Sequence, residues 1–185
     1  MSTINQFRQQ LENGGHRQNR FKVTVNFPTR TLSNAPKAQT SFEFLAFATA
    51  MPVQNLGEIP LKYRGRTVYF AGDPAEPEIF TCSVYNSLSF DIRNACIDWR
   101  NNYINPDSVV GEDLIDTAEV QLDMLDKADN IIQTGILYNA WPRDIGQVAV
   151  SWQNENALST FDLGIRFDWV DERPINSSSN TITTI

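Results

Sequence analysis

The chain has 185 residues, 41% of them apolar, with 15 basic and 22 acidic side chains and a net charge of −7. That length suits one domain with a sizeable core, the sign of the charge argues against a protein that grips a phosphate backbone, and two cysteines cannot build a disulfide framework. No run approaches the roughly 18 apolar residues of a membrane helix, and the polar start (Ser2, Thr3, Asn5, Gln6) lacks the apolar stretch of a signal peptide. A protein made and kept in a reducing cytoplasm, with no membrane anchor, is the expectation.

Taken in chain order, Ile4, Phe7 and Leu11 recur at spacings of three and four, which predicts one apolar stripe on a short N-terminal helix stopped by Gly14-Gly15. So short a helix is marginal alone in water, and docking on a neighbour is one way to hold it. From Phe21 the period becomes two: Phe21, Val23, Val25 and Phe27 alternate with polar residues, a half-buried strand closed by Pro28. Residues 28–40 read as a polar loop, and residues 42–49 as a strand apolar on both faces and therefore covered on both sides. Residues 51–73 read as a projecting hairpin with Arg64-Gly65 at its tip. A strand over 79–85 follows.

Leu88, Ile92, Ala95, Trp99 and Tyr103 lie on one face of a helix capped by Asn86 or Ser87 and ended by Asn105-Pro106. The last third is β again, with strands over 119–124, 132–140, 147–152 and 161–169, the last being the cleanest alternation in the chain. Residues 171–185 lose all period and read as a polar, mobile extension. The predicted fold is mainly β: a small barrel or sandwich of about six to eight strands in one domain over 1–172, with one main helix packed on it, a projecting hairpin, a short N-terminal helix and a polar extension over 173–185.

Chemistry is hard to find. The lone His16 sits beside glycines, with no second histidine or paired cysteines for a metal. No nucleophile elbow, phosphate-binding glycine loop or calcium spacing occurs. Asp91, Asp98 and the run Glu112, Asp113, Asp116 lack a partner base and read as a solvated face. No catalytic residue, cofactor or metal is expected. Cys82 and Cys96 read as buried small apolar residues. Trp99 and Trp169 read as core, and Trp141 as core or interface. Lys62, Arg64 and Arg66 cluster at the hairpin tip, either as a soluble turn or as a cationic finger for an acidic surface on the next copy.

Several pieces stand in one order: Arg20-Phe21-Lys22-Val23; Ala48-Thr49-Ala50-Met51-Pro52; Ile59-Pro60-Leu61; Val68 to Asp73; Ile97-Asp98-Trp99; and Ala140-Trp141-Pro142 with Ile145-Gly146, Trp152, Asn154 and Phe161 to Trp169. No piece is specific by itself, but the ordered set, over roughly residues 17–172, resembles the tail tube proteins of contractile-tailed bacteriophages. The resemblance implies a structural subunit of the virion, assembled in the host cytoplasm. It implies, further, that copies form homo-hexameric rings stacking into a hollow tube, inside a sheath protein and between baseplate and terminator proteins, and that DNA passes through the lumen without specific binding. A baseplate tube-initiator or the tube of a phage-derived injection system shares the same core. A soluble β-sandwich binding module is the competing class, and an enzyme the least favoured.

Within that reading, inter-ring stacking is expected from the N-terminal stripe (Ile4, Phe7, Leu11) and the hairpin (Leu56, Ile59, Lys62, Arg64, Arg66). The acidic strand face Glu119, Gln121 and Asp123 is expected to line the lumen, where like charge repels phosphate. Exposed sheet edges are pairing templates that a neighbouring copy can satisfy.

Overall fold

The computed structural model describes residues 3–11, 15–28, 32, 35–103, 117–153 and 155–174. The elements run α1 (Thr3–Gln10), β1 (Phe21–Asn26), α2 (Ala35–Leu45), β2 (Ala46–Thr49), β3 (Leu56–Tyr63), β4 (Arg66–Pro74), β5 (Phe80–Tyr85), α3 (Asp91–Tyr103), β6 (Ala118–Leu125), β7 (Ile131–Ile145), β8 (Thr160–Arg166) and β9 (Trp169–Pro174). Asn105-Pro106, the run Glu112, Asp113, Asp116 and residues 175–185 lie outside the described residues.

Two antiparallel sheets share β7, a strand of 15 residues. Its first half pairs with β6 on one side (Ile136 with Gln121) and β9 on the other (Ile136 with Asp171), and β1 adds to β6. Its second half pairs with β8, which continues to β5 and β2. The strand changes sheets at a β-bulge, where register shifts opposite Ala118 and Val120 and Asn139 takes a φ of 54°. The Asn139 amide donates to Asp168 Oδ2 at 2.8 Å and ties this corner to the start of β9. The two sheets are continuous through β7, contribute to one core and do not close into a barrel.

The core follows from alternation. Val23, Val25, Val120, Leu122 and Leu137 point inward from one sheet, and Val84, Leu163 and Ile165 from the other. The helices cover one side: Phe42 of α2 and Trp99 of α3 are fully buried and meet Phe27 edge-on, at centroid distances of 6.3 and 5.7 Å. Gly135 leaves room beside β7 for Met51, whose sulfur would lie only 2.6 Å from a Cβ at that position. At the β6–β7 turn the Asp126 carboxylate accepts the Asn130 side-chain amide at 3.0 Å and the backbone N–H groups of Asn130 and Ala128 at 2.9 and 2.6 Å, which hold it below the usual carboxylate range.

Several expectations need correction. Residues 35–45 form a helix, not the end of a polar loop and the start of a strand. Ala35, Ala38 and Phe42 are its buried face, while Phe44 is exposed, so the alternation of Phe42 with Phe44 misled. The α3 helix begins at Asp91, and Leu88 stands fully exposed ahead of it; Ile92, Ala95 and Trp99 form the buried face. Residues 147–152 belong to a long loop between β7 and β8. Trp169 opens a separate strand and is 45% exposed, stacked 4.2 Å from the Tyr138 ring. Residues 171–174, expected in the extension, complete that strand.

Cys82 and Cys96 are buried as read, and burial pushes both thiols up to about 12, with the Asp162 carboxylate adding to the effect at Cys82. At pH 8 the folded chain is expected to resist a thiol-specific aromatic disulfide reagent, with both groups reacting on denaturation. Rapid labelling of the native chain would mean that the two sheets open readily around these side chains.

Candidate assembly surfaces

The hairpin β3–β4 arises from local chemistry. Arg64 and Gly65 have φ of 47° and 81°, the paired positive values of a type I′ turn, whose twist suits flanking antiparallel strands. Pro60 is tolerated because a two-stranded ribbon has an outer edge on each strand, and there it discourages indiscriminate pairing. Arg166 fixes the base, donating to Pro77 O and Glu76 Oε2 at 3.0 Å. The Ala75 amide donates to Asn55 O at 2.7 Å across the root.

Register separates the two faces of the hairpin. Ile59 lies opposite Phe70, Leu61 opposite Val68 and Tyr63 opposite Arg66, so these side chains share one face. Glu58, Pro60, Lys62, Thr67 and Tyr69 share the other. The first face is apolar up to its tip, yet Ile59, Leu61, Val68 and Phe70 are each about half exposed, and no side chain of β3 or β4 is buried. Large apolar surface without cover marks a contact site.

The expected stacking residues therefore fall into different places. Ile59 lies on the apolar face, Lys62 on the polar face, Arg64 at the turn against the Tyr63 ring at 5.3 Å, and Arg66 beside the tip. Leu56 is exposed at the root. Leu61, Tyr63, Val68 and Phe70 were missed, although counting by twos from the Arg64-Gly65 turn brings them out. Ile4 and Phe7 on α1 and Leu11 just past its end are exposed, and no side chain of that helix is buried.

On the outward face of the first sheet, Glu119 is exposed and Gln121 half-buried, as a wall facing water requires. Asp123 shares that face but is only 3% exposed. Thr134 Oγ1 donates to it at 2.7 Å and Gln121 Nε2 donates to both its oxygens at 2.9 Å. Its carboxylate is thus committed to a local network rather than presented to solvent.

Among the described residues β1, β2 and β9 pair on one side only, leaving edges available. A groove of about 880 Å³ lies beside β2, lined by Phe21, Phe47, Met51, Leu122 and Met124 among others. A further apolar group sits at loops: Leu88, Val150, Trp152 and Leu158, of which Trp152 is 100% exposed. Trp152, expected at the end of a strand and as a core or interface anchor, stands instead on a loop and is not part of the core. Among the described residues no group of three or more His, Cys, Asp or Glu side chains could hold a metal ion.

No protein-family model matches the chain. It is 29% identical over 179 residues to the tail tube protein of Serratia phage KSP90, covering 90% of this chain and 95% of that protein. It is 24% identical over 133 residues to the tail tube protein gp19 of Enterobacteria phage T4, covering 70% of this chain and 80% of that one. Among solved structures, the tube-terminating cap of the anti-feeding prophage superposes with a TM-score of 0.63 at 14% identity, covering 86% of this chain and 91% of that chain. A chain of the sheath–tube complex of the extracellular contractile injection system PVC, in its extended state, superposes with a TM-score of 0.62 at 13% identity, covering 95% and 99%. Along nine-tenths of its length this chain is thus similar in sequence to a phage tail tube protein, and it shares its fold with chains of contractile injection assemblies.

Proposed function

We propose that this chain is a tail tube subunit whose copies close into hexameric rings, and that the rings stack into a hollow tube inside a contractile sheath. The observation that carries the reading is the apolar face of the β3–β4 hairpin, uncovered in a single copy. A head-to-tail contact between identical copies would cover it, and heterologous contacts of that kind build rings and open stacks. The free edges of β1, β2 and β9 supply further contacts around a ring.

The outward face carrying Glu119 and Gln121 is assigned to the lumen, with Asp123 behind it as a buried brace. A wall of that character holds DNA off its surface and lets it pass. Sheath, baseplate and terminator proteins are the assigned partners, as structural neighbours come from a sheath–tube complex, a sheath/tube terminator and a baseplate. A place in the tube itself is preferred over one at its end because the match with 90% coverage is to a tube protein.

Electron microscopy of the purified chain tests this: six-membered rings or hollow rods are expected, and a monomer at high concentration would overturn it. In phage carrying Glu119→Lys, DNA ejection is expected to slow, because the new cations hold phosphate; unchanged ejection would remove Glu119 from the lumen wall.

A further inference from the structure

The two uncovered apolar surfaces sit at opposite ends of the same sheet. Thr49, at the end of β2, lies opposite Cys82, and Phe80, at the start of β5, lies opposite Ile165. The chain leaves and re-enters the second sheet at that end, so the hairpin is rooted there. Tyr85, at the far end of β5, lies opposite Thr160. The loops that follow β5 and precede β8 are thus at the other end, joined by the Asn86 amide donating to Ser159 O at 2.9 Å and its side chain donating to Ser159 Oγ at 2.8 Å. These loops carry Leu88, Val150, Trp152 and Leu158.

Charge differs between the two ends. The hairpin tip has Lys62, Arg64 and Arg66, whereas the loop 146–159 contains Glu155 and no lysine or arginine. The cations nearby are already engaged. Arg93 donates to Gly146 O at 2.5 Å and lies over the Phe161 ring, and Lys37 pairs with Asp91 at 2.9 Å.

We infer that the loop end of each copy, centred on Trp152 with Leu88, Val150 and Leu158, is the seat for the apolar face of the hairpin from a second copy, with Glu155 meeting the cationic tip. The inference rests on the hairpin reading proposed above and names its partner surface. A donor at one end of a sheet and its acceptor at the other give a contact that repeats along one axis, as a stack requires. The hairpin strands, at 8 and 9 residues, extend roughly 25–30 Å, against roughly 20 Å for the 6 residues of β5, so the hairpin is long enough to reach a neighbouring body. A fully exposed tryptophan on loops that also carry three exposed aliphatic side chains suits a binding hot spot.

The test uses the full chain at a concentration where the wild type forms rods. Trp152→Asp is expected to abolish rods while leaving thermal unfolding unchanged, since the side chain touches nothing that stabilises the free subunit. Should Trp152→Asp form rods as the wild type does while Phe70→Asp does not, the seat is wrongly placed and the hairpin reading survives; rods from both variants would end the hairpin reading too. Proximity supplies the second readout. A mixture of Arg64→Cys and Gln153→Cys chains, which keeps Trp152 in place, is treated with a short bismaleimide and is expected to give a crosslinked heterodimer, because the two native thiols are buried and raised to about 12. Assembled rods without that heterodimer would overturn the assignment.

Discussion

A Phe70→Asp chain is expected to fold and to form no rods, whereas Tyr69→Asp, one residue away, polymerises. Phe70 and Tyr69 are both exposed on β4, but register puts Phe70 opposite Ile59 on the apolar face and Tyr69 opposite Pro60 on the other. In the free subunit both substitutions lie at the surface, where changes cost within about 0.5 kcal/mol, with about 0.2–1 kcal/mol more if a cross-strand pair is lost. On docking the two diverge. Covering a side chain of this size contributes about 1.5–3 kcal/mol. A carboxylate there loses that contribution and also meets the cost of desolvation. The loss recurs in every copy of a ring, so a modest effect per subunit becomes complete for the assembly. Sedimentation and electron microscopy read the result, and rods from Phe70→Asp would dismiss the apolar face as the contact. Excising the hairpin at its root, which the Asn55–Ala75 bond marks, removes both strands whole and is expected to abolish rods as well.

The second large effect is on stability. Trp99→Ala is expected to cost about 3–5 kcal/mol, measured by chemical denaturation at neutral pH. Trp99 is fully buried on α3 and meets the Phe27 ring, which in turn meets Phe42 of α2. Removing it opens a cavity where two helices and the end of β1 converge. A domain is stable by only about 5–15 kcal/mol, so the variant sits near the edge of folding. For a chain of this size each kcal/mol is worth about 2–4 °C, giving a fall in Tm on the order of 10 °C. An unchanged midpoint would mean that α2 and α3 lie outside the cooperative core.

Much of the fold was legible because period-two alternation reports directly on a half-buried strand. Phe21 to Phe27 and Phe161 to Phe167 read correctly for that reason. The α2 helix was not legible from alternation, because Phe42 and Phe44 mimic a strand. The spacing of Ala35, Ala38 and Phe42, with Pro36 in the first turn where its missing donor is harmless, was the better signal. The bend in β7 was invisible, since a bulge depends on which residues lie opposite.

Of the assembly surfaces, the hairpin and its tip were readable from Arg64-Gly65, but not which of its faces mattered, because that needs the register. Asp123 lay on the expected face, yet its burial depends on Thr134 from the neighbouring strand and could not be read from its own segment. Trp152 had looked like one more aromatic, and only its full exposure gives it significance.

The long shared strand has a consequence for how the subunit bears load. Slipping β7 by one residue would turn its side chains inside out in both sheets at once. Its alignment is fixed by β6 and β9 over one half and by β8 over the other, so neither half can creep without breaking its partners. The body is thereby keyed like a single girder running through two walls: thrust received at one wall passes to the other along covalent bonds, not across a side-chain interface that could shear.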